Sequence, residues 1–241
     1  MSQDLRSEID LDRFRRRLLK HTRKAFQLLP KSDRPRILDV GCGSGVPTLE
    51  LVKLSNGEVV GMDIDQSLLD ELNRKIRSGG LSNRVQTRNC SMFEMDYPDE
   101  SFDIIWAEGS ISVIGFERGL EEWRRLLKPG GFLVVHAETK KTLSRLGKVP
   151  SLGYKLWNRY SLPEDAHWTE YYEPLEIRIQ ELQAKYKNDP KTLEVLRRNQ
   201  NEIDMVKRNP RDFSSAFYIM QKLRRPKRAR SFFRKSREGA H

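Results

Sequence analysis

From Arg36 onward the chain alternates short apolar runs with amphipathic stretches. Arg36-Ile37-Leu38-Asp39-Val40 has the length and branched content of a buried strand, and Gly41-Cys42-Gly43-Ser44-Gly45 ends it. A helix is predicted over Val46 to Leu54 and a second strand over Gly57 to Met62. Another helix runs from Ser67 to Arg77, where Leu69, Leu72 and Ile76 share a face and Gly79-Gly80 supplies the stop. Val85 to Arg88 and Phe102 to Trp106 read as strands three and four. Phe116 to Leu127 reads as a helix closed by Lys128-Pro129-Gly130-Gly131, and Phe132 to His136 as strand five. Strands alternating with helices of this size require right-handed crossovers and therefore a largely parallel sheet. The expected class is α/β, a three-layer α/β/α sandwich.

The flanks follow other rhythms. Leu11, Phe14, Leu18, Ala25 and Leu28 recur at near-helical spacing, so an amphipathic helix over 11–29 precedes the first strand. After Glu138 a strand is predicted around Gly153 to Tyr160, then the aromatic stretch His167-Trp168-Thr169-Glu170-Tyr171-Tyr172. Two helical stripes follow, Leu175/Ile179/Leu182/Tyr186 and Leu193/Leu196/Ile203/Val206, separated by Asp189-Pro190; Phe213 to Met220 reads as the last strand. The stripes either pack helix on helix or bury a homodimer face. The division is thus a helical cap over 1–30, a domain over 31–221 with a helical insertion at 161–210 before the final strand, and a basic tail over 222–241. Cap and insertion together are expected to form a lid.

Charge changes the picture only at the ends. The 241 residues carry a net charge of +11, yet nine Lys/Arg and one Glu lie between Lys222 and His241, leaving only +3 for everything before them. A smaller excess, ten Lys/Arg against five Asp/Glu, lies in the first 34 residues. A tail of this kind is expected to be disordered and to attract polyanions weakly. No apolar run approaches the ~20 residues that span a bilayer. Cys42 and Cys90, the two cysteines, make neither a disulfide framework nor a zinc set. With a polar, acidic N-terminus as well, these features point to a cytoplasmic chain with no membrane segment and no metal.

The chemistry concentrates at the turn after the first strand. Glycines there let a ligand approach the backbone at the mouth of a helix, in the crevice where open α/β sheets bind their ligands. Asp63, at the end of the second strand, lies 22 residues after Gly41, the offset at which a carboxylate meets a ribose diol. A nucleoside-containing cofactor is indicated. A dinucleotide loop, however, needs glycine three positions after Gly43, and Val46 stands there; a nicotinamide oxidoreductase is therefore the weaker alternative.

The pattern Asp39-x-Gly41-x-Gly43-x-Gly45 resembles the cofactor loop of class I, Rossmann-like S-adenosylmethionine-dependent methyltransferases. Val59-Val60-Gly61-Met62-Asp63-Ile64-Asp65 resembles their second motif, Ser101 to Ile105 their fourth strand, and Leu127 to Phe132 the turn into their fifth. Glu108 to Ile111, Ile114 to Gly119 and the Trp168-x-x-Tyr171-Tyr172-x-Pro174-Leu175 stretch are similar to small prokaryotic members of the methyltransferase-11/25 type. The resemblance implies a seven-stranded, mostly parallel sheet with an antiparallel last strand, and methyl transfer to a small-molecule acceptor. It also implies a cofactor set. Gly41, Cys42, Gly43 and Gly45 would line the methionyl part, supported by Asp39. Asp63 would hold the ribose, Ile64 would pack on the adenine, and Cys90-Ser91-Met92 would form the adenine-side loop. Glu108 would stand where the methionyl group meets the acceptor, and Thr22 would close the pocket. Many members carry Asp at the position of Cys90, a departure that removes one adenine contact.

Methyl transfer from an activated donor needs positioning above all, and a base only if the acceptor must lose a proton. Glu108, His136, His167, Tyr171 and Tyr172 are the candidates for that base. Each has a plainer role: His136 as a strand-end histidine, and the Trp168/Tyr171/Tyr172 group as insertion packing. Cys42 and Cys90 are expected to be small packing residues. An RNA methyltransferase using the basic tail and a non-catalytic cofactor-binding module remain as alternatives.

Overall fold

The computed structural model describes residues 3–224; the tail expected to be disordered lies, beyond Arg224, outside the described residues. Seven strands form one sheet: β1 (Arg36–Val40), β2 (Glu58–Asp63), β3 (Val85–Asn89), β4 (Phe102–Glu108), β5 (Leu127–Glu138), β6 (Tyr154–Ser161) and β7 (Ser215–Lys222), in the order β3-β2-β1-β4-β5-β7-β6. β1 to β5 pair in parallel, and β7 runs antiparallel between β5 and β6. The helices are α1 (Gln3–Ile9), α2 (Leu11–Gln27), α3 (Val46–Leu54), α4 (Gln66–Ser78), α5 (Ile111–Ile114), α6 (Phe116–Trp123), α7 (Thr139–Leu143), α8 (Glu173–Lys185) and α9 (Pro190–Arg208).

The central strands are apolar on both faces because helices cover both. Side chains alternate between the two cores as the strand period requires. Leu38, Ile105, Leu133 and Tyr218 face Leu120 and Trp123. Ile37, Ile104, Val134 and Phe217 face the layer that contains Ala25, Leu51, Leu69 and Leu72. A third cluster joins Leu5, Ile9 and Phe14 of the N-terminal helices to Leu175, Ile179, Leu182, Leu196 and Ile203 of α8 and α9. Cap and insertion therefore bury each other's apolar stripes within one chain.

Several boundaries move, each for a local reason. The helix predicted over 11–29 is α2, ending at Gln27, and an unpredicted helix, α1, precedes it; the two are separated where Asp10 adopts a left-handed backbone (φ 49°) and caps α2 through Arg13 N–H. The predicted 116–127 helix ends at Trp123, passes through a tight turn at Arg124–Leu126 and enters β5 at Leu127, with a register shift opposite Phe102/Ile104. The last strand starts at Ser215 rather than Phe213, because Pro210–Phe213 forms a 3-10 turn. Lys222, assigned above to the tail, is a buried sheet residue paired with Tyr154. Trp168–Tyr172 is a π-helical turn running directly into α8.

Candidate active site

Strand order reverses between β1 and β4, and the crevice at their carboxyl ends is the expected ligand site of such a sheet. A cleft of about 430 Å³ lies there, walled by Gly41, Cys42 and Gly43 after β1, Asp63 at the end of β2, Glu108 at the end of β4 and His136 in β5. α2 supplies His21, and the stretch after β6 supplies His167, Tyr171 and Tyr172. Residues predicted from widely separated stretches thus meet in one place.

The glycine loop is held in a form that few other residues permit. Gly41 sits at φ 72°, and a Cβ there would come within 2.6 Å of Ser110 Cβ; Gly45, at φ 88°, would collide with Leu72. At Gly43 nothing lies within 4 Å of the Cβ position, so its open side faces the cleft. The Gly43 amide donates to Asp63 Oδ2 at 2.8 Å, and the Asp65 amide donates to Oδ1 at 2.9 Å. These bonds fix the carboxylate against the loop while each oxygen keeps a lone pair for another donor.

Carboxylates dominate the electrostatics. Glu108 accepts from Thr22 Oγ1 at 2.9 Å and from Trp106 Nε1 at 2.9 Å. Burial outweighs those two bonds and raises its carboxyl to about 7. Asp39, buried beneath the loop, accepts from Thr48 Oγ1 at 2.6 Å. Burial, with the charges of Glu108 and Asp63 nearby, raises it to about 7 as well. The cleft is built to gain from a positive group. The Cys42 thiol is pushed up by burial first and then by Asp39 and Asp63, so it stays protonated and suits packing rather than nucleophilic attack.

The remaining predicted residues take other places. Thr22 is fully buried behind Glu108 and acts on the cleft through that carboxylate. Ile64, next to Asp63 but not among the residues that wall the cleft, is 74% exposed, its carbonyl held by Asn89 Nδ2 at 3.0 Å. Cys90, Ser91 and Met92 form a loop after β3, in which the Cys90 amide donates to the Asp63 carbonyl and the Met92 carbonyl accepts from Trp123 Nε1. Tyr172 O–H donates to Glu202 Oε1 at 2.9 Å, and burial pushes its phenol well up.

Three groups escaped the sequence. Asp12 of α2 accepts from Ser44 Oγ at 2.6 Å and from Lys75 Nζ at 2.5 Å, tying the cap to the glycine loop and to α4. His21 meets Tyr160 O–H at 2.8 Å through Nδ1 and Glu170 at 3.2 Å through Nε2, tying the cap to β6 and the π turn. Ser215 Oγ lies 2.8 Å from Nε2 of both His136 and His167. Nothing in the local spacing singles out Asp12 from its neighbours Glu8 and Asp10, and nothing local points to Ser215.

Residues 37–131 match the family described as "Methyltransferase domain". A methyltransferase GfsG of Streptomyces halstedii is 33% identical over 115 residues, 47% of this chain and 41% of its own length. A ubiquinone/menaquinone biosynthesis C-methyltransferase UbiE of Vibrio parahaemolyticus is 32% identical over 146 residues, 58% of this chain and 55% of its own. The chain thus spans about half the length of these curated relatives. Among solved structures, a SAM-dependent methyltransferase from Geobacter sulfurreducens in complex with S-adenosyl-L-homocysteine superposes with a TM-score of 0.67 at 16% identity, over 85% of this chain and 90% of that one. The [4+2]-cyclase SpnF gives 0.69 at 20% identity, over 86% and 82%. The fold is the class I, Rossmann-like fold of these solved structures.

Proposed function

We propose that this chain is an S-adenosylmethionine-dependent methyltransferase that acts on a small molecule. The observation that carries the proposal is the junction of the glycine loop with Asp63, the Gly43 amide bonded to a fixed carboxylate, facing Glu108 across one cleft. This donor set fits the cofactor. Asp63 has the lone pairs for a ribose diol, the loop glycines admit the amino-acid portion, and Glu108 complements a sulfonium cation. Ile64 and the Cys90-Ser91-Met92 loop border the place for the adenine. When bound, the cofactor supplies a methyl group already activated on sulfur.

The protein's own contribution is placement and dryness. Glu108 is oriented by Thr22 from the lid and Trp106 from the sheet, so closure of the lid and placement of the carboxylate are linked. Tyr171 and Tyr172 roof the cleft from the π turn.

Calorimetric titration with S-adenosylmethionine, with NADH as control, tests the proposal. Micromolar binding is expected, weakened at least ~10-fold, or about 1.4 kcal/mol, in Asp63→Ala. Binding of NADH instead, or binding indifferent to Asp63, would refute the proposal.

A further inference from the structure

Beyond the cofactor cleft lies a second cavity of about 500 Å³, between the ends of β5 and β7 and helices α5 and α7. Gly109, His136, His167 and Tyr172 line both cavities and form the wall they share. The far side carries Ile111, Phe116, Ala137 and Phe213 beside the charged Glu138, Lys141 and Arg145, a mixed lining suited to a small organic acceptor that carries polar groups. Anything in this chamber reaches the cofactor cleft past the two imidazoles.

Those imidazoles are joined by a hydroxyl. Ser215 Oγ is 2.8 Å from Nε2 of each ring, and the rings stack with centroids 5.6 Å apart and planes 29° from parallel. Ser215 is buried, and among the described residues its hydroxyl has no third partner. A serine hydroxyl has one proton to give. The arrangement that satisfies all three groups has it donating to one Nε2 and accepting from the other Nε2–H. The rings are then opposite tautomers, and one of them presents a bare Nδ1. Neither Nδ1 has a hydrogen-bond partner among the described protein groups.

We propose that the second cavity is the acceptor chamber, that His136–Ser215–His167 is a proton relay, and that the acceptor is therefore a hydroxyl compound. The inference rests on the methyltransferase reading above. As the acceptor oxygen bonds to the methyl carbon, the methyl–sulfur bond breaks and sulfur keeps the electron pair. The O–H proton passes to the bare Nδ1. That ring's Nε2 proton moves to Ser215 Oγ while the serine's own proton moves to Nε2 of the second ring. One positive charge has left the sulfonium and one rests on the second imidazole, so the site's charge is conserved. A hydroxyl is the acceptor that makes such a relay necessary, since a thiol can react as a thiolate and an amine can keep its proton as an ammonium.

The surroundings favour His167 as the resting place. Burial, then His167 and then His21, hold His136 down to about 3. His167 is lowered by burial and by His21, but the Glu170 carboxylate opposes that. A weak base suffices here, because an oxygen that has gained a methyl group holds its proton far more loosely than an imidazole does.

Imidazole ¹⁵N NMR on the full chain reads the relay without any acceptor, with His136→Gln and His167→Gln for assignment. One ring should show the Nδ1–H pattern and the other the Nε2–H pattern at neutral pH. Ser215→Ala should abolish this locked pairing, and Ser215→Thr should keep it. Two rings in the same tautomer, or a pattern untouched in Ser215→Ala, would overturn the proposal. With methyl-labelled S-adenosylmethionine and a set of phenols and alcohols, Ser215→Ala should lower kcat at least ~10-fold, with cofactor Kd unchanged and Ser215→Thr restoring the rate. Labelling confined to thiols or amines, or of none of the hydroxyl compounds, would also overturn it. Failure to bind S-adenosylmethionine would strike the underlying reading instead, a result distinguishable from loss of the relay.

Discussion

Glu108 and Asp39 titrate where most carboxyl groups are long ionised, both raised to about 7 by burial. A sulfonium ligand is best bound when Glu108 is charged, so affinity for S-adenosylmethionine should climb between pH 6 and pH 8. S-adenosylhomocysteine, which lacks the cation, should show a flatter profile. In Glu108→Gln the two profiles should converge, a difference calorimetry at three pH values resolves. Asp39 makes a different statement. Its folded pKa lies above the unfolded value, so the folded chain holds a proton that the unfolded chain has released between pH ~4 and ~7. Stability falls as pH rises through that window and stays low above it. Asp39→Asn keeps an acceptor for Thr48 and removes the buried charge, so it should raise Tm at pH 8 by a few degrees and change little at pH 4. At this scale the loop glycines and Asp63 were legible because their chemistry is written in local spacing. Ser215 was not, since it lies 79 and 48 positions from its two histidines and only β5–β7 pairing and the insertion bring it there.

Among the elements, the parallel strands and their crossovers were legible from apolar runs and glycine stops. The ends of elements were less so, because caps and tight turns depend on partners elsewhere. Lys128-Pro129-Gly130-Gly131 looked like a helix stop, yet the chain is already in β5 by Leu127. The two stripes of α8 and α9 were visible, but their partners on α1 and α2 lie more than 160 positions away, and periodicity does not name a partner. The cap's hold on the glycine loop rests on Asp12, which is 7% exposed and shared between Ser44 and Lys75. Lys75 keeps a second partner in Glu71 at 2.7 Å, whereas Ser44 would lose the acceptor that ties the loop to the cap. Asp12→Ala should therefore loosen cap and loop together. Hydrogen exchange of the amides from Gly41 to Val46 should accelerate and cofactor Kd should rise. Unchanged exchange would mean that the loop is rigid without the lid.

For the molecule as a whole, stretches far apart in the sequence meet at one cleft. α2 near the start, and His167, Tyr171, Tyr172 and Glu202 from the stretch between β6 and β7, border a cleft whose floor is set by the ends of β1, β2, β4 and β5. Most of the net positive charge lies at the C-terminal end of the chain, whereas the cleft is rich in carboxylates, a distribution that suits a cationic cofactor better than an RNA substrate in the cleft. The most direct test is to incubate the full chain with methyl-labelled S-adenosylmethionine, an ultrafiltered bacterial metabolite extract and total RNA in one vessel. The label should enter a small molecule, and Asp63→Ala should lose that transfer. Label recovered in RNA, or none transferred to any acceptor while the cofactor is bound, would contradict the account.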